Sequence, residues 1–259
     1  LISLIPSTPK LVTYQCDFVA QKSFFGRVIE ILIDLSSRFS LRRSTSSVVS
    51  SKDYADFSRI KSSLIKSVAI PPPLQTRQRS KPSFRQSSGY HYGFLGRIAP
   101  EKGLENLVTA FGLIARDEDR LLIAGSAVST EGEGIFKRLE ASSIRDPRIL
   151  LLGFIPEANV ADFYASIDAF VFPSINALEA FGIAQAEAKT LGVPLVTSDL
   201  PGVRTLVDSP ATGILVRPND IDALKLGMEN VQKITRKSTQ TNGSSGMQKY
   251  EELILRLLK

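Results

Sequence analysis

Two glutamates separated by seven residues, Glu179 and Glu187, with Phe181-Gly182-Ile183 between them, are the most chemically informative feature of this 259-residue chain. Residues 170–172 read as a buried strand, 180–191 as a helix and 193–196 as the next strand. Eight residues of helix span roughly 12 Å. Carboxylates that far apart cannot share a proton or flank one scissile bond. They can hold two separate hydroxyl-bearing parts of one long ligand. The ordinary alternative, a glutamate at a helix start and a solvated one further on, stays open on spacing alone. Gly182 lets the turn backbone approach a ligand. The N–H groups around Phe181, Gly182 and Ile183, at the positive end of the helix, suit a diphosphate.

A second group lies upstream, in Gly96-Arg97-Ile98-Ala99-Pro100-Glu101-Lys102-Gly103. Residues 93–96 read as a short strand, and Leu104, Leu107, Val108, Phe111 and Ile114 then recur at helical spacing. Arg97 and Lys102 therefore belong to a strand-to-helix loop, the place where open α/β sheets bind ligands. One guanidinium, one ammonium and a helix N-terminus can neutralise a diphosphate without a metal. A solvated pair in a surface loop is the alternative.

Together the two motifs resemble those of retaining glycosyltransferases of family 4, which have the GT-B fold. The first is similar to the family's Glu-x7-Glu segment, the second to its Gly-Arg-x-x-x-Glu-Lys-Gly loop. The resemblance covers residues 90–231 well and 10–73 more loosely. It implies an α/β protein with one complete doubly wound, Rossmann-like parallel-sheet domain and part of a second such domain. It implies transfer of a sugar from a UDP- or GDP-sugar to a glycan or lipid-linked acceptor, with retention of anomeric configuration. No cofactor and no metal are expected; the nucleoside diphosphate sugar is the co-substrate. By the same resemblance Arg97 and Lys102 hold the diphosphate, Glu179 binds donor-sugar hydroxyls and Glu187 the ribose diol. Gly96 belongs to the same donor site. Gly125 and Gly153-Phe154, at strand ends, are candidate base contacts, with ordinary turn glycines as the equal alternative. Gln15-Cys16-Asp17 stands where related transferases resemble His-Ser-Asp. An amide at Gln15 still hydrogen-bonds a hydroxyl, but it does not titrate near neutrality.

Composition narrows the classes. One Cys (Cys16) leaves no internal disulfide and fits a reducing, cytoplasmic compartment. The net charge of +6 suits phosphate-bearing ligands or an anionic membrane surface, while basic repeats interleaved with aromatics, the mark of nucleic-acid binding, are missing. The one His lies near no Cys or Ser motif, so a hydrolase triad is not available. An epimerase or phosphorylase on the same fold would need paired His or a Schiff-base Lys signature, and neither is visible. A non-catalytic nucleotide-sugar-binding fragment or degenerate partner subunit remains the rival reading.

The elements that must position these residues follow along the chain. Residues 1–73 are expected to be the end of an acceptor-side domain whose front is missing, since the chain starts at Leu1 and its first Gly is Gly26. Strands are expected at 10–14 and 46–51 and a helix at 54–63. Phe25, Val28, Ile29, Leu32, Leu35 and Phe39 form an apolar helical stripe flanked by Lys22, Arg27, Arg38, Arg42 and Arg43. Packing of that stripe on a sheet is the expectation, and peripheral contact with the inner membrane face the alternative. Residues 68–73 read as an interdomain crossing and 74–89 as an exposed linker with solvated Arg77, Arg79, Lys81 and Arg85. Residues 90–232 form the donor domain, with strands at 91–95, 120–124, 149–152, 169–172, 193–197 and 213–216. Residues 233–246 read as a mobile loop and 247–259 as a helix crossing back to the first domain. Asp117-Glu118-Asp119 has a metal-binding Asp-x-Asp form but reads as a solvated turn, and Asp220 as a helix cap.

Overall fold

A computed structural model describes residues 8–20, 23–78, 80–176, 178–236 and 245–258. Two compact units emerge: Leu1–Leu74 with Ala177–Phe181 and Gly243–Lys259, and Gln75–Asn176 with Gly182–Asn242.

The first unit runs β1 (Leu11–Tyr14), α1 (Phe24–Arg42), β2 (Ser46–Val49), α2 (Lys52–Phe57), α3 (Lys61–Leu64) and β3 (Val68–Ala69). Its three strands are parallel, in the order β1-β2-β3. Leu41, Val49, Ala55, Ile60 and Leu64 form its core. Asp17 ties it together. Its carboxylate accepts from the Tyr14 hydroxyl at 2.5 Å, the Ser58 hydroxyl at 2.6 Å and the Arg59 N–H at 3.1 Å. These bonds explain why the helix expected at 54–63 is two short ones: Ser58 is extended (φ −62°, ψ 148°) so that its side chain reaches Asp17.

Two expectations for this unit are corrected. Residues 68 and 69 are a strand pairing with β2, so only Ile70 onward is left for a crossing. The apolar stripe of α1 is not covered by the short sheet: Phe24 and Phe25 are each 78% exposed, Ile29, Leu32 and Leu35 are also exposed, and only Gly26 and Leu41 of the helix are buried. Three strands of four, four and two residues offer too little apolar area for nineteen residues of helix.

The second unit alternates regularly through β4 (His91–Leu95), α4 (Leu104–Ile114), β5 (Arg120–Ala124), α5 (Thr130–Arg145), β6 (Ile149–Gly153), α6 (Val160–Ser166), β7 (Ala169–Phe172), α7 (Ile183–Thr190), β8 (Leu195–Ser198), β9 (Gly213–Val216) and α8 (Ile221–Val231). All six strands are parallel, in the order β6-β5-β4-β7-β8-β9. Apolar residues fill both faces, as a doubly wound sheet requires. Leu121 and Ile123 join one cluster with Leu107, Phe111, Leu139 and Met228 from α4, α5 and α8. Leu122 and Ala124 point the other way, to Phe163, Tyr164 and Ala188 of α6 and α7. Asp220 caps α8 by accepting from the Ala223 N–H at 2.9 Å. The last described helix, α9 (Ser245–Leu257), groups with the first unit. Most of the loop expected at 233–246 lies outside the described residues.

Three local readings change. The strand expected at 193–197 begins at Leu195, because the Val193 N–H is spent closing the α7 C-terminus on the Ala188 carbonyl at 3.0 Å. Asp119 is 4% exposed rather than a solvated turn residue, and accepts from the backbone N–H groups of Tyr90 and Arg116. The expected linker is partly built into the second unit: Phe84 packs on the apolar cluster beneath α6, and Arg85 binds Asp168 at 3.1 Å.

His91 is fully buried at the start of β4. Its Nδ1 lies 2.9 Å from the Gly89 carbonyl, while Nε2 faces the Gln86 N–H at 3.4 Å, which assigns the proton to Nδ1 in a neutral ring. Burial holds the imidazole pKa below its ordinary 6.5, opposed by the Gly89 bond and helped by Arg85. The unfolded chain then binds that proton more tightly. The stability contributed by His91 is full above pH 6.5 and is lost as pH falls below it. The lowered carboxylates Glu105, Asp146, Asp162 and Asp208 act only further down. Urea midpoints should therefore fall from pH 7 to pH 5, and His91→Asn should flatten that fall; an unchanged slope in the variant would contradict the assignment.

Candidate functional site

Neighbouring strands β4 and β7 diverge in connectivity. The chain leaves β4 toward β5 on one side and leaves β7 toward β8 on the other. Such a reversal opens a crevice at the carboxyl ends of the two strands. The loop with Arg97 and Lys102 follows β4, and the segment leading to Glu187 follows β7.

The first of these loops is held by backbone. After β4 the chain makes a 3-10 turn, Pro100–Lys102, then enters α4 through Gly103. Gly103 sits at φ 65°, and a Cβ there would lie 2.2 Å from the Pro173 carbonyl oxygen. No side chain fits, so the loop rests directly on the end of β7. The Ile175 N–H donates to the Glu101 carbonyl at 2.9 Å and fastens the same two segments. Gly125 is under a similar constraint, at φ 145° with its would-be Cβ 1.8 Å from the Gly96 carbonyl oxygen. Its N–H donates to the Gly153 carbonyl at 2.7 Å, and the Gly96 N–H to the Ala124 carbonyl at 3.0 Å. Gly96, Gly125 and Gly153 thus bring the ends of β4, β5 and β6 together.

The side chains on this frame differ in exposure. Lys102 is 5% exposed, and its ammonium stands 5.2 Å from the centre of the Phe172 ring. The Arg97 side chain is 62% exposed and meets Glu101 at 3.3 Å. Phe154 is 75% and Ile183 49% exposed. The same loop thus carries an open charge at Arg97 and a sheltered one at Lys102.

Helix α7 starts at Ile183, later than the expected 180, because Gly182 is its N-cap. Glu179 therefore lies outside the helix, and the 12 Å spacing drawn from a continuous helix does not describe the two glutamates. Glu179 and Phe181 group with the first unit. There Glu179, half-buried, is close enough to Cys16 to help raise its thiol pKa, after burial and Asp17. Gln15 is exposed in the same unit. No side-chain hydrogen bond caps α7 at Gly182, and its first turn carries no acidic residue.

Glu187 is buried within the second unit, 5% exposed, and its partners were not legible in the sequence. Arg77, expected in solvent, is a 9%-exposed side chain whose Nη2 donates to Glu187 Oε1 at 3.0 Å and whose Nη1 meets Glu157 at 2.8 Å. The Tyr164 hydroxyl lies 3.2 Å from Glu187 Oε2 and 2.8 Å from the Ala184 carbonyl. Burial, then the Glu187 charge, raise the Tyr164 pKa well above its ordinary value, so the phenol keeps its proton. Burial works against the Arg77 charge, but its bonds to Glu187 and Glu157 outweigh it and leave its pKa raised. On the next turn-inward face of α7, Gln185 accepts from the Thr197 hydroxyl at 2.9 Å and donates to the Val203 carbonyl at 3.1 Å. This buried amide fixes α7 to β8 and so fixes where Glu187 stands. Its signal was its type: a glutamine among the alanines of a core-facing helix. Among the described residues no helix is long and apolar enough to cross a membrane.

Comparison with known proteins agrees with this architecture. The family described as glycosyl transferases group 1 matches residues 76–243. An uncharacterized glycosyltransferase of Methanocaldococcus jannaschii is 31% identical over 158 residues, 58% of this chain and 39% of that protein. A GDP-mannose-dependent alpha-mannosyltransferase of Mycolicibacterium smegmatis is 35% identical over 136 residues, 52% of this chain and 32% of that protein. The chain thus spans between 32% and 39% of these two relatives. Among solved structures, Anabaena HepE in complex with UDP and glucose superposes with a TM-score of 0.71 at 17% identity, over 95% of this chain and 71% of that one. The GT-B-type fold is shared, and the chain belongs to the glycosyl transferases group 1 family.

Proposed function

We propose that this chain carries the donor site of a retaining, metal-independent glycosyltransferase of family 4 that takes its sugar from a UDP- or GDP-sugar. The observation that carries the reading is the placement of the Lys102 loop and of Glu187 after β4 and β7, the two strands that flank the reversal of the sheet. Lys102 and Arg97 hold the diphosphate, aided by the N–H groups at Gly182 and Ile183. Glu187 takes the ribose diol. Glu179, by the family resemblance, is the candidate for the donor-sugar hydroxyls. Gly96, Gly125, Gly153 and Phe154 border the nucleotide. The M. smegmatis relative's GDP-mannose dependence and the UDP held by Anabaena HepE support a nucleoside diphosphate donor of one of these two bases.

In the proposed step the acceptor hydroxyl oxygen bonds to the anomeric carbon on the face from which the phosphate departs. The anomeric carbon–phosphate oxygen bond breaks, its electron pair goes to the diphosphate, and a phosphate oxygen takes the acceptor proton. No protein nucleophile is needed. Lys102 stabilises the charge that develops on the leaving group, with a geometry already set before reaction. The acceptor is a glycan or a lipid-linked acceptor, and the site of action the cytoplasm, with peripheral contact at the inner membrane face as the alternative. We place residues 1–73 on the acceptor side and 90–232 on the donor side. A second reading, a nucleotide-sugar-binding subunit without transfer, is favoured by Gln15 at the position resembling the family's His.

Two measurements test the reading. Nucleoside diphosphate at a hundred times its dissociation constant adds about 2.7 kcal/mol, a rise of about 5 °C or more in the melting of the second unit. One of UDP, GDP or ADP should give that rise, and Glu187→Ala should remove it; no rise with any of the three would refute a donor site. Where transfer is measured, Lys102→Ala should lower kcat by about 100-fold. Unchanged turnover would take that role away from Lys102.

A further inference from the structure

We infer that Arg77 and Tyr164 are positioning residues for Glu187, fixing its carboxylate so that one acceptor direction on each oxygen is left for the two ribose hydroxyls. The inference rests on the reading of Glu187 as the ribose acceptor. A carboxylate has about four acceptor directions, two on each oxygen. Arg77 Nη2 fills one on Oε1, at 3.0 Å. The single Tyr164 proton, shared with the Ala184 carbonyl, reaches one on Oε2 at 3.2 Å. Among the described residues one direction remains on each oxygen, which is the number a vicinal diol needs. A free glutamate on a helix samples many rotamers, and ordering it on binding costs affinity. Here that ordering is done in advance by two groups from different parts of the fold, one just after the start of the second unit and one on α6.

The Arg77 side chain has the placement this task requires. It is more than nine-tenths buried, unlike the basic residues of an ordinary loop, and bridges the buried Glu187 and the exposed Glu157. Its Nε–H is buried with no acceptor among the described residues. A guanidinium that leaves one of its own donors unsatisfied is placed for what its two outer nitrogens hold. Glu157 anchors the second of these, so that Nη2 keeps its aim at Glu187 without depending on a ligand.

The test compares binding of a nucleoside diphosphate with its 2′-deoxy form, by titration calorimetry on the full chain, using whichever of UDP, GDP and ADP binds. Loss of a hydrogen bond to a charged group should weaken the 2′-deoxy form about tenfold or more in the unaltered protein. Arg77→Met should reduce that ratio to about threefold or less, and Arg77→Lys, a single point charge that cannot bridge both glutamates, should restore only part of it. Tyr164→Phe, which keeps the buried ring, should reduce the ratio in the same direction and serves if Arg77→Met does not fold. A merely structural role would weaken both ligands equally. Ratios unchanged in Arg77→Met or Tyr164→Phe would overturn this inference while leaving the donor site intact. No binding of any nucleotide by the unaltered protein would overturn the donor site itself.

Discussion

Everything in the second unit turns on one topological constraint: parallel neighbours β4 and β7 send their connections away from each other. A parallel sheet must be covered on both faces, so its crossovers must diverge somewhere. Where they diverge, the loops at the carboxyl ends leave a crevice that no crossover fills. The chain closes that region as tightly as backbone allows, with Gly103 against the Pro173 carbonyl and Gly125 against the Gly96 carbonyl. These contacts hold the Lys102 loop against the end of β7. Charge can be stabilised there without reorganisation.

Burying Glu187 behind that frame carries its own demand. An isolated buried carboxylate costs several kcal/mol, and removing its partner typically costs about 3–5 kcal/mol. Arg77 meets the demand from a segment that propensity alone assigns to solvent. Hydrophobic replacement of such a pair is often neutral for stability, which makes a purely structural purpose a poor explanation for it. The buried amide of Gln185 and the shared proton of Tyr164 extend the polar set through α7. A largely buried, hydrogen-bonded set of polar side chains is a site at which position is controlled closely.

The strands of the second unit were legible because their apolar runs are buried on both faces and bounded by turn residues. Four of the six expected strands have the observed limits, at 91–95, 120–124, 169–172 and 213–216. The two others miss by one or two residues, where Gly153 and Val193 take part in bonds that only the folded neighbours define. What the sequence concealed was tertiary. Nothing in the residues around Arg77 distinguishes an arginine in solvent from one that meets a glutamate 110 positions later. The stripe on α1 has the period of a buried helix, yet periodicity says which residues share a face and not what covers that face. The break at Ser58 depends on Asp17, 41 residues earlier. Glu179 and Glu187 were read as flanking one continuous helix, but α7 begins only after Gly182 and the two glutamates fall in different units.

The central claim is that Glu187 and the Lys102 loop receive one nucleoside diphosphate. Its most direct test is a crystal structure of the chain soaked with the nucleotide that stabilises it. The account predicts both ribose hydroxyls within about 3 Å of the Glu187 carboxylate. It also predicts the diphosphate at Lys102 and the N-terminus of α7, and the Arg77 bond kept in place. A nucleotide bound elsewhere on the sheet, or ribose hydroxyls facing groups other than Glu187, would contradict it.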